Sequence, residues 1–430
     1  MMHIFSMKRK TKQMSISDIP DAPALYLPLL QHIGQAAMPI VDVGEYVFKY
    51  QIIAEETRNL SANIHAPVSG TIKAIELHPL ADGTLVETIV LQNDFQNKEI
   101  ERPTLEADNL TAEEILAIIK GAGIVGEGGA QFPTFVKYNL LGKKINTFIV
   151  NGTECEPYLT ADYALMRDKT EELFRGILLI NKVLQAHEIV LSIEKQNKEL
   201  LDVFRPFLSQ PEYKNIRVAI LPNQYPQGGE LQLIKSITGK ELPRGVLPKD
   251  EGLMVSNVGT IHAVYNALVE QKPLTERIIT ISGEQSKKSG NYLVKIGTPI
   301  SHILEHQSLT NTLDDKQLVL GGPMMGKNIT NTSAPIVKGA SGVLFFKKKE
   351  IKRNNCISCG YCVDVCPMKL MPLVFAEKYR TGKFVALEKY SLNSCIECAA
   401  CEYICPTDVP LMESIKEGKI KLKALLTHAN

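Results

Sequence analysis

Cys356-Ile-Ser-Cys359-Gly-Tyr-Cys362-Val-Asp-Val-Cys366-Pro367 and Cys395-Ile-Glu-Cys398-Ala-Ala-Cys401-Glu-Tyr-Ile-Cys405-Pro406 are two copies of one pattern, C-x2-C-x2-C-x3-C-P. They hold eight of the nine cysteines in the chain. Thiolates at this spacing ligate [4Fe-4S] clusters, and soft thiolate donors select such clusters over hard cations. Structural zinc would instead use two C-x2-C pairs separated by a longer loop. Disulfides need an oxidising compartment, and no signal peptide is visible. The pattern therefore points to one-electron chemistry.

In two-cluster domains of this kind the fourth cysteine of each run ligates the other cluster. One cluster is thus expected on Cys356, Cys359, Cys362 and Cys405, and the second on Cys395, Cys398, Cys401 and Cys366. The 28 residues between Cys366 and Cys395 exceed what a minimal two-cluster module needs and predict an inserted helix near Met371–Arg380. A helical tail is expected at Leu411–Leu426. Residues 350–430 form this module.

The chain is too long for one domain: 430 residues suggest about three. With 44 % hydrophobic and 22 % charged residues the composition is globular. A net charge of +1 offers no electrostatic footprint for nucleic acid. No apolar run reaches the roughly 18 residues of a membrane span, so a soluble chain is expected, in the cytoplasm where cysteines stay reduced. Residues 1–24 lack periodicity and read as a flexible tail, with Lys8-Arg9-Lys10-Thr11-Lys12 a solvated part of it.

Short strand-like runs follow, and His65-Ala66-Pro67-Val68-Ser69-Gly70 reads as a turn into another strand. Residues 25–100 look like the barrel-sandwich fold of biotinyl and lipoyl domains. Asn59 stands where those domains carry their cofactor-bearing lysine, so no swinging arm is expected. Residues 108–270 alternate helix and strand, the mark of an α/β domain with a parallel sheet. Thr111-Ala-Glu-Glu114 is a capping box, and strands are expected at 144–150, 188–193, 217–221 and 253–255. Residues 275–345 read as a small β-grasp-like unit.

The α/β domain carries four polar, glycine-containing loops. The first runs Gly121-Ala-Gly-Ile-Val-Gly126-Glu-Gly128-Gly129-Ala130-Gln131-Phe132-Pro133-Thr134. Glycines let backbone amides approach a phosphate. A helix, not a strand, precedes the loop, which argues against the usual dinucleotide fingerprint; Lys137 lies just beyond. Asn151-Gly-Thr-Glu154-Cys-Glu156 follows a strand, where open α/β sheets bind ligands. Tyr225-Pro-Gln-Gly228-Gly-Glu230 and Asn257-Val-Gly-Thr260 complete the set. Cys155 reads as a packing residue, because no histidine is near it in sequence.

On these stretches, with the cysteine runs and Gly321–Gly326, the chain resembles the C subunit of the Rnf (Rsx) electron-transport complex. Its central part is similar to the flavin-bearing 51-kDa subunit of respiratory complex I. The resemblance covers about Pro28 to Lys416. It implies contacts to FMN and NAD(H) by Gly126, Gly128, Gly129, Ala130, Phe132 and Lys137. It adds Asn151, Glu154 and Glu156, then Tyr225, Gly228 and Glu230, then Asn257 and Thr260. Phe132 and Glu156 would position the nicotinamide, and no acid–base residue is needed. An SLBB-like identity for the β-grasp unit and a Rossmann-like flavin domain are also implied.

The function so implied is a peripheral subunit of an ion-translocating ferredoxin:NAD+ oxidoreductase on the cytoplasmic side of the bacterial inner membrane. Its partners would be an iron-sulfur subunit, integral membrane subunits and, indirectly, ferredoxin. Three other readings stand beside it. A cobalamin reductase shares these modules but places its barrel-sandwich part after the clusters. A non-catalytic electron-relay and docking subunit would need no working flavin site. Reduction of a redox sensor is implied for the Rsx branch. The chain departs from the family at Gln131 and Tyr50, where glycine is expected, at Thr153, where complex I has an acidic residue, and at Phe5-Ser6-Met7, where a G-G-x-H-P segment would begin.

Overall fold

A computed structural model describes residues 1–57, 60–102, 105–129, 131–243, 245–348 and 354–428. Asn59 and Ala130, both singled out above, lie outside the described residues.

The α/β unit is built on a four-stranded sheet ordered 216–221, 188–194, 147–152, 253–257, every pair parallel. Its strands are near-continuous apolar runs such as Phe148-Ile149-Val150, as expected where helices cover both faces. Thr170–Leu184 supplies the longest covering helix; its apolar stripe, Leu173, Phe174, Ile177, Ile180 and Leu184, is fully buried. The Ala112–Gly121 helix begins with the expected capping box: Thr111 Oγ1 accepts from the Glu114 amide and Glu114 from the Thr111 amide. Caps of this kind contribute about 1 kcal/mol.

The N-terminal unit faces two antiparallel sheets, one of 24–28, 85–93, 70–79 and 46–47, the other of 38–39, 52–55 and 64–65. Leu25, Leu27, Ile53, Ile72, Ile89 and Leu91 fill the space between them, and this core runs without a break into that of the α/β unit. Lys338 pins the junction, its Nζ 2.7 Å from the carbonyl oxygens of both Asn63 and Gly123. Tyr50 adopts φ 73°, the left-handed conformation that glycine takes without cost.

A six-stranded mixed sheet, ordered 16–18, 290–295, 276–282, 342–347, 316–320 and 327–328, packs on the Ile300–His306 helix. Its edge strand corrects the expectation of a flexible tail. Ile16–Asp18 pairs in parallel with Asn291–Leu293, and residues upstream are buried too: Lys8 is 4 % exposed and Thr11 fully buried. The segment is held by long-range polar contacts, which leave no local periodicity to read. The cysteine module carries the expected inserted helix at Pro372–Arg380 and the tail helix at Leu411–His428. Among the described residues no helix is long and apolar enough to cross a membrane.

Candidate functional site

Chain polarity brings the carboxyl ends of the four parallel strands to one edge, and the four polar loops meet there. The glycine loop is closed by a hydrogen bond from the Gly126 amide to the Phe132 carbonyl (2.8 Å). It is fixed to the fourth loop where the Glu127 amide donates to Thr260 Oγ1 (2.9 Å). At Gly128 a Cβ would come within 2.9 Å of the Asn257 side chain, so only glycine lets the two loops approach this closely. Gln131 takes φ 48°. The position thus keeps the backbone shape of the glycine expected there, while its side chain lies against Gly339.

Asn257 caps its helix through the Gly259 amide (2.8 Å) and donates to Asp162 Oδ2 (2.7 Å). The Asp162 amide donates to Glu154 Oε1 (3.2 Å). Asn151 Nδ2 donates to the Gly228 carbonyl (3.0 Å), joining the second loop to the third. A Cβ at Gly228 would lie 2.2 Å from the Thr153 carbonyl oxygen, so this join also demands glycine. Lys137 Nζ lies 2.9 Å from Glu230 Oε1, with the side chains 34 % and 42 % exposed. Gly126, Gly128, Gly129, Phe132, Lys137, Asn151, Glu154, Gly228, Glu230, Asn257 and Thr260 thus belong to interlocked loops on one edge.

Two expected cofactor residues point elsewhere. Tyr225 is 1 % exposed and its hydroxyl donates to the Cys398 carbonyl (2.7 Å). Glu156 accepts from the Met324 amide (3.0 Å) and the Met325 amide (2.8 Å), tying the site to the Gly321–Gly326 loop; burial raises its carboxyl to about 7. Cys155 packs with Tyr225, Met324, Val365 and Cys398. Burial pushes its thiol up to about 12, which leaves it without thiolate reactivity at neutral pH.

Sequence reasoning missed several charged residues here. Lys8 lies 3.8 Å from Glu154 and 3.8 Å from Glu194, the last residue of its strand. Arg277 lies 3.7 Å from Glu127, whose carboxyl burial raises to about 7. Burial also raises Asp162 and Glu154, for which the cation nearby only partly compensates. None of these pairs has a local signature, since the partners come from different units.

The cysteines divide between two hollows. Cys356, Cys359, Cys362 and Cys405 line one, with Ile357, Leu373 and Val409. Cys366, Cys395, Cys398 and Cys401 line the other, with Leu370, Phe375 and Ile415. Among the described residues no group of His, Cys, Asp or Glu converges tightly enough to hold a single metal ion; each thiol set rings a hollow. Four soft donors around an apolar hollow suit an iron-sulfur cluster. The glycine-built cradle at the sheet edge likewise suits a phosphate-bearing cofactor. The sets differ in exposure: in the first Cys356 and Cys359 are exposed and Cys362 is buried, whereas in the second Cys398 and Cys401 are buried and no cysteine is exposed.

Three family models match successive parts of the chain. Residues 2–96 match the RnfC barrel sandwich hybrid domain, 119–266 the Nuo51 FMN-binding domain, and 355–409 the 4Fe-4S dicluster domain. The C subunit of the ion-translocating oxidoreductase complex of Rhodobacter capsulatus is 41 % identical over 422 residues, which cover 96 % of this chain and 81 % of that one. The C subunit of the proton-translocating ferredoxin:NAD(+) oxidoreductase complex of Clostridium ljungdahlii is 37 % identical over 392 residues, covering 89 % and 84 %. An NAD+-reducing [NiFe]-hydrogenase in its H2-reduced state shares the fold, with a TM-score of 0.52 at 18 % identity, over 74 % of this chain and 62 % of that one.

Proposed function

The chain belongs to the RnfC family, the C subunits of ion-translocating oxidoreductase complexes, and from that premise we propose that it is the peripheral NAD(H)- and FMN-binding iron-sulfur subunit of a membrane ferredoxin:NAD+ oxidoreductase. One observation carries the reading. The buried cysteine set sits directly against the third loop of the nucleotide edge, through the Tyr225 hydroxyl and the Cys398 carbonyl. A nucleotide site and a cluster site in contact make one redox unit.

When bound, FMN supplies the conversion between a hydride's electron pair and single electrons, and iron-sulfur clusters supply one-electron carriage. The chain's own residues bind and position. Gly126, Gly128 and Gly129 present backbone to the phosphate, and Lys137 offers it an ammonium at the mouth of the site. Asn151, Glu154, Asn257 and Thr260 lock the loops, and loops so fixed would hold a bound flavin in one orientation. Two clusters are assigned, one to each ring of cysteines.

The central domain is read as Rossmann-like and residues 275–345 as an SLBB-like β-grasp unit. The partners are an iron-sulfur subunit, integral membrane subunits and, through them, ferredoxin, at the cytoplasmic face of the membrane. The test uses the full chain reconstituted with FMN, iron and sulfide under anaerobic conditions. NADH should bleach the cluster absorbance and support ferricyanide reduction. A chain that holds both clusters but retains no FMN and shows no NADH-dependent bleaching would refute the reading.

A further inference from the structure

We propose that the N-terminal segment Met2–Lys12 is a built part of the nucleotide site, and that Lys8 is its positioning residue, supplying the fixed positive charge against which Glu154 and Glu194 are held. The proposal rests on the flavin reading above.

The segment crosses the carboxyl edge of the parallel sheet and touches the chain beyond three of its four strands. Met2 exchanges backbone hydrogen bonds with Tyr225, at 3.0 and 2.8 Å. The Ser6 carbonyl accepts from the Tyr158 amide (2.8 Å). Lys12 Nζ lies 2.7 Å from Glu199. Between these anchors the Lys8 ammonium turns inward, donates to the Glu154 carbonyl, and stands 3.8 Å from a carboxylate oxygen of both Glu154 and Glu194.

Packing alone does not account for a lysine there. Burying an ammonium costs several kcal/mol unless it is paired, and methionine would fill a similar volume. The charge has an electrostatic task. Glu154, Glu156, Asp162 and Glu194 all face this point, and Lys8 acts on the first three from one side. Arg277 acts on Asp162 and Glu127 from the other. Glu154 Oε2 has no hydrogen-bond partner among the described residues, so the compensation on that oxygen comes from the Lys8 ammonium. Removing the ammonium takes away the positive charge that stands against Glu154 and Glu194, beside the place where a phosphate-bearing, electron-accepting ligand would sit. Negative charge there opposes both the binding of the anion and the addition of electrons to it.

The test uses the full chain with reconstituted clusters and FMN itself as the probe. Flavin fluorescence quenching gives the dissociation constant, and an anaerobic spectroelectrochemical titration gives the flavin midpoint potential. Lys8→Met should weaken FMN binding about tenfold, equivalent to about 1.4 kcal/mol, and should lower the potential. Lys8→Met combined with Glu194→Gln should recover most of both losses, because the second change removes the stranded charge. A segment acting only as packing would show no such recovery. Unchanged affinity and potential in Lys8→Met would overturn the proposal, as would a loss that the double variant does not restore while its cluster absorbance stays intact. A wild-type chain that binds no FMN would instead overturn the flavin reading, and this proposal with it.

Discussion

Replacing Lys338 by methionine should change how the protein's stability depends on pH. Lys338 is 1 % exposed, and its Nζ bonds two carbonyl oxygens, those of Asn63 and Gly123, each at 2.7 Å. Burial lowers its ammonium from 10.5 to about 7, and His65 nearby, lowered to about 3 by burial, stays neutral. An unfolded lysine titrates near 10.4. The folded value lies below the unfolded one, so between pH 7 and 10 the unfolded chain holds more protons and stability rises with pH. At about 1.4 kcal/mol for each pH unit separating the two values, the protonation penalty on folding is roughly 4 kcal/mol at pH 7 and roughly 2 kcal/mol at pH 9. Methionine removes the penalty but strands two buried carbonyls, at about 1–3 kcal/mol each. The two effects nearly cancel at pH 7. At pH 9 the variant should have lost about 2 kcal/mol relative to wild type. Urea unfolding of both proteins at pH 7, 8 and 9 measures the difference. A gap that is flat in pH, or that narrows as pH rises, would refute the lowering of the Lys338 ammonium by burial.

Cys366→Ser should empty the buried ring and leave the exposed one loaded, while Cys405→Ser should do the reverse; iron should fall from about eight to about four atoms per chain in each case, and EPR distinguishes the survivors. The cluster that survives in Cys366→Ser should titrate at the higher potential of the two. Tyr225→Phe should retain FMN yet slow NADH-driven bleaching of the clusters in stopped-flow, at a stability cost of about 1–3 kcal/mol from the stranded Cys398 carbonyl. Lys137→Met should cost less than about 1 kcal/mol in thermal unfolding, because its pair with Glu230 is partly exposed, but should raise the KM for NADH or the Kd for FMN several-fold.

Spacing makes the cysteine module legible, because a cluster needs its thiolates at fixed intervals and local sequence records them. Apolar runs bounded by glycine and asparagine do the same for the strands at 147–152, 188–194, 216–221 and 253–257. The glycine loops are visible as composition, yet what demands each glycine is a distant partner: Asn257 for Gly128, Thr153 for Gly228. Direction is not legible. Tyr225 and Glu156 lie in polar turns of the nucleotide edge, as their sequence implies, but one turns to the cysteine module and the other to the Gly321–Gly326 loop. The N-terminal segment reads as a tail because each of its contacts is made singly, with Tyr225, Tyr158, Glu154 and Asn291 in turn. A lysine such as Lys8, followed by the exposed Arg9 and Lys10, looks solvated unless the carboxylates that receive it are known.

The two cysteine rings share more than their spacing, and what they share identifies what separates them. Sulfur hydrogen bonding tunes an iron-sulfur potential, and here four backbone amide bonds are matched between the rings. Cys356 and Cys405 accept from the Ser358 and Val409 amides, both at 3.4 Å. Cys395 and Cys366 accept from the Glu397 and Leu370 amides at 3.4 and 3.3 Å. The internal duplication thus repeats these amide bonds, and Cys405 adds a contact to Thr407 Oγ1 at 3.6 Å. A cation does stand near the buried ring, with Lys419 Nζ 2.7 Å from the Cys395 carbonyl, but Glu397 holds it at 2.6 Å and cancels most of its field. Burial separates the two rings further. Reduction adds a negative charge to a centre already surrounded by thiolates, and removing that charge from water is costly. A cluster held by the ring of Cys398 and Cys401 would therefore take an electron less readily than one held by the ring of Cys356 and Cys359. Around the exposed ring, Ile357 and Tyr361 are 63 % and 53 % accessible, whereas the buried ring is closed off by Tyr225 and the Met2 end of the N-terminal segment. The gradient of burial and the gradient of access run the same way, from the nucleotide edge toward the surface.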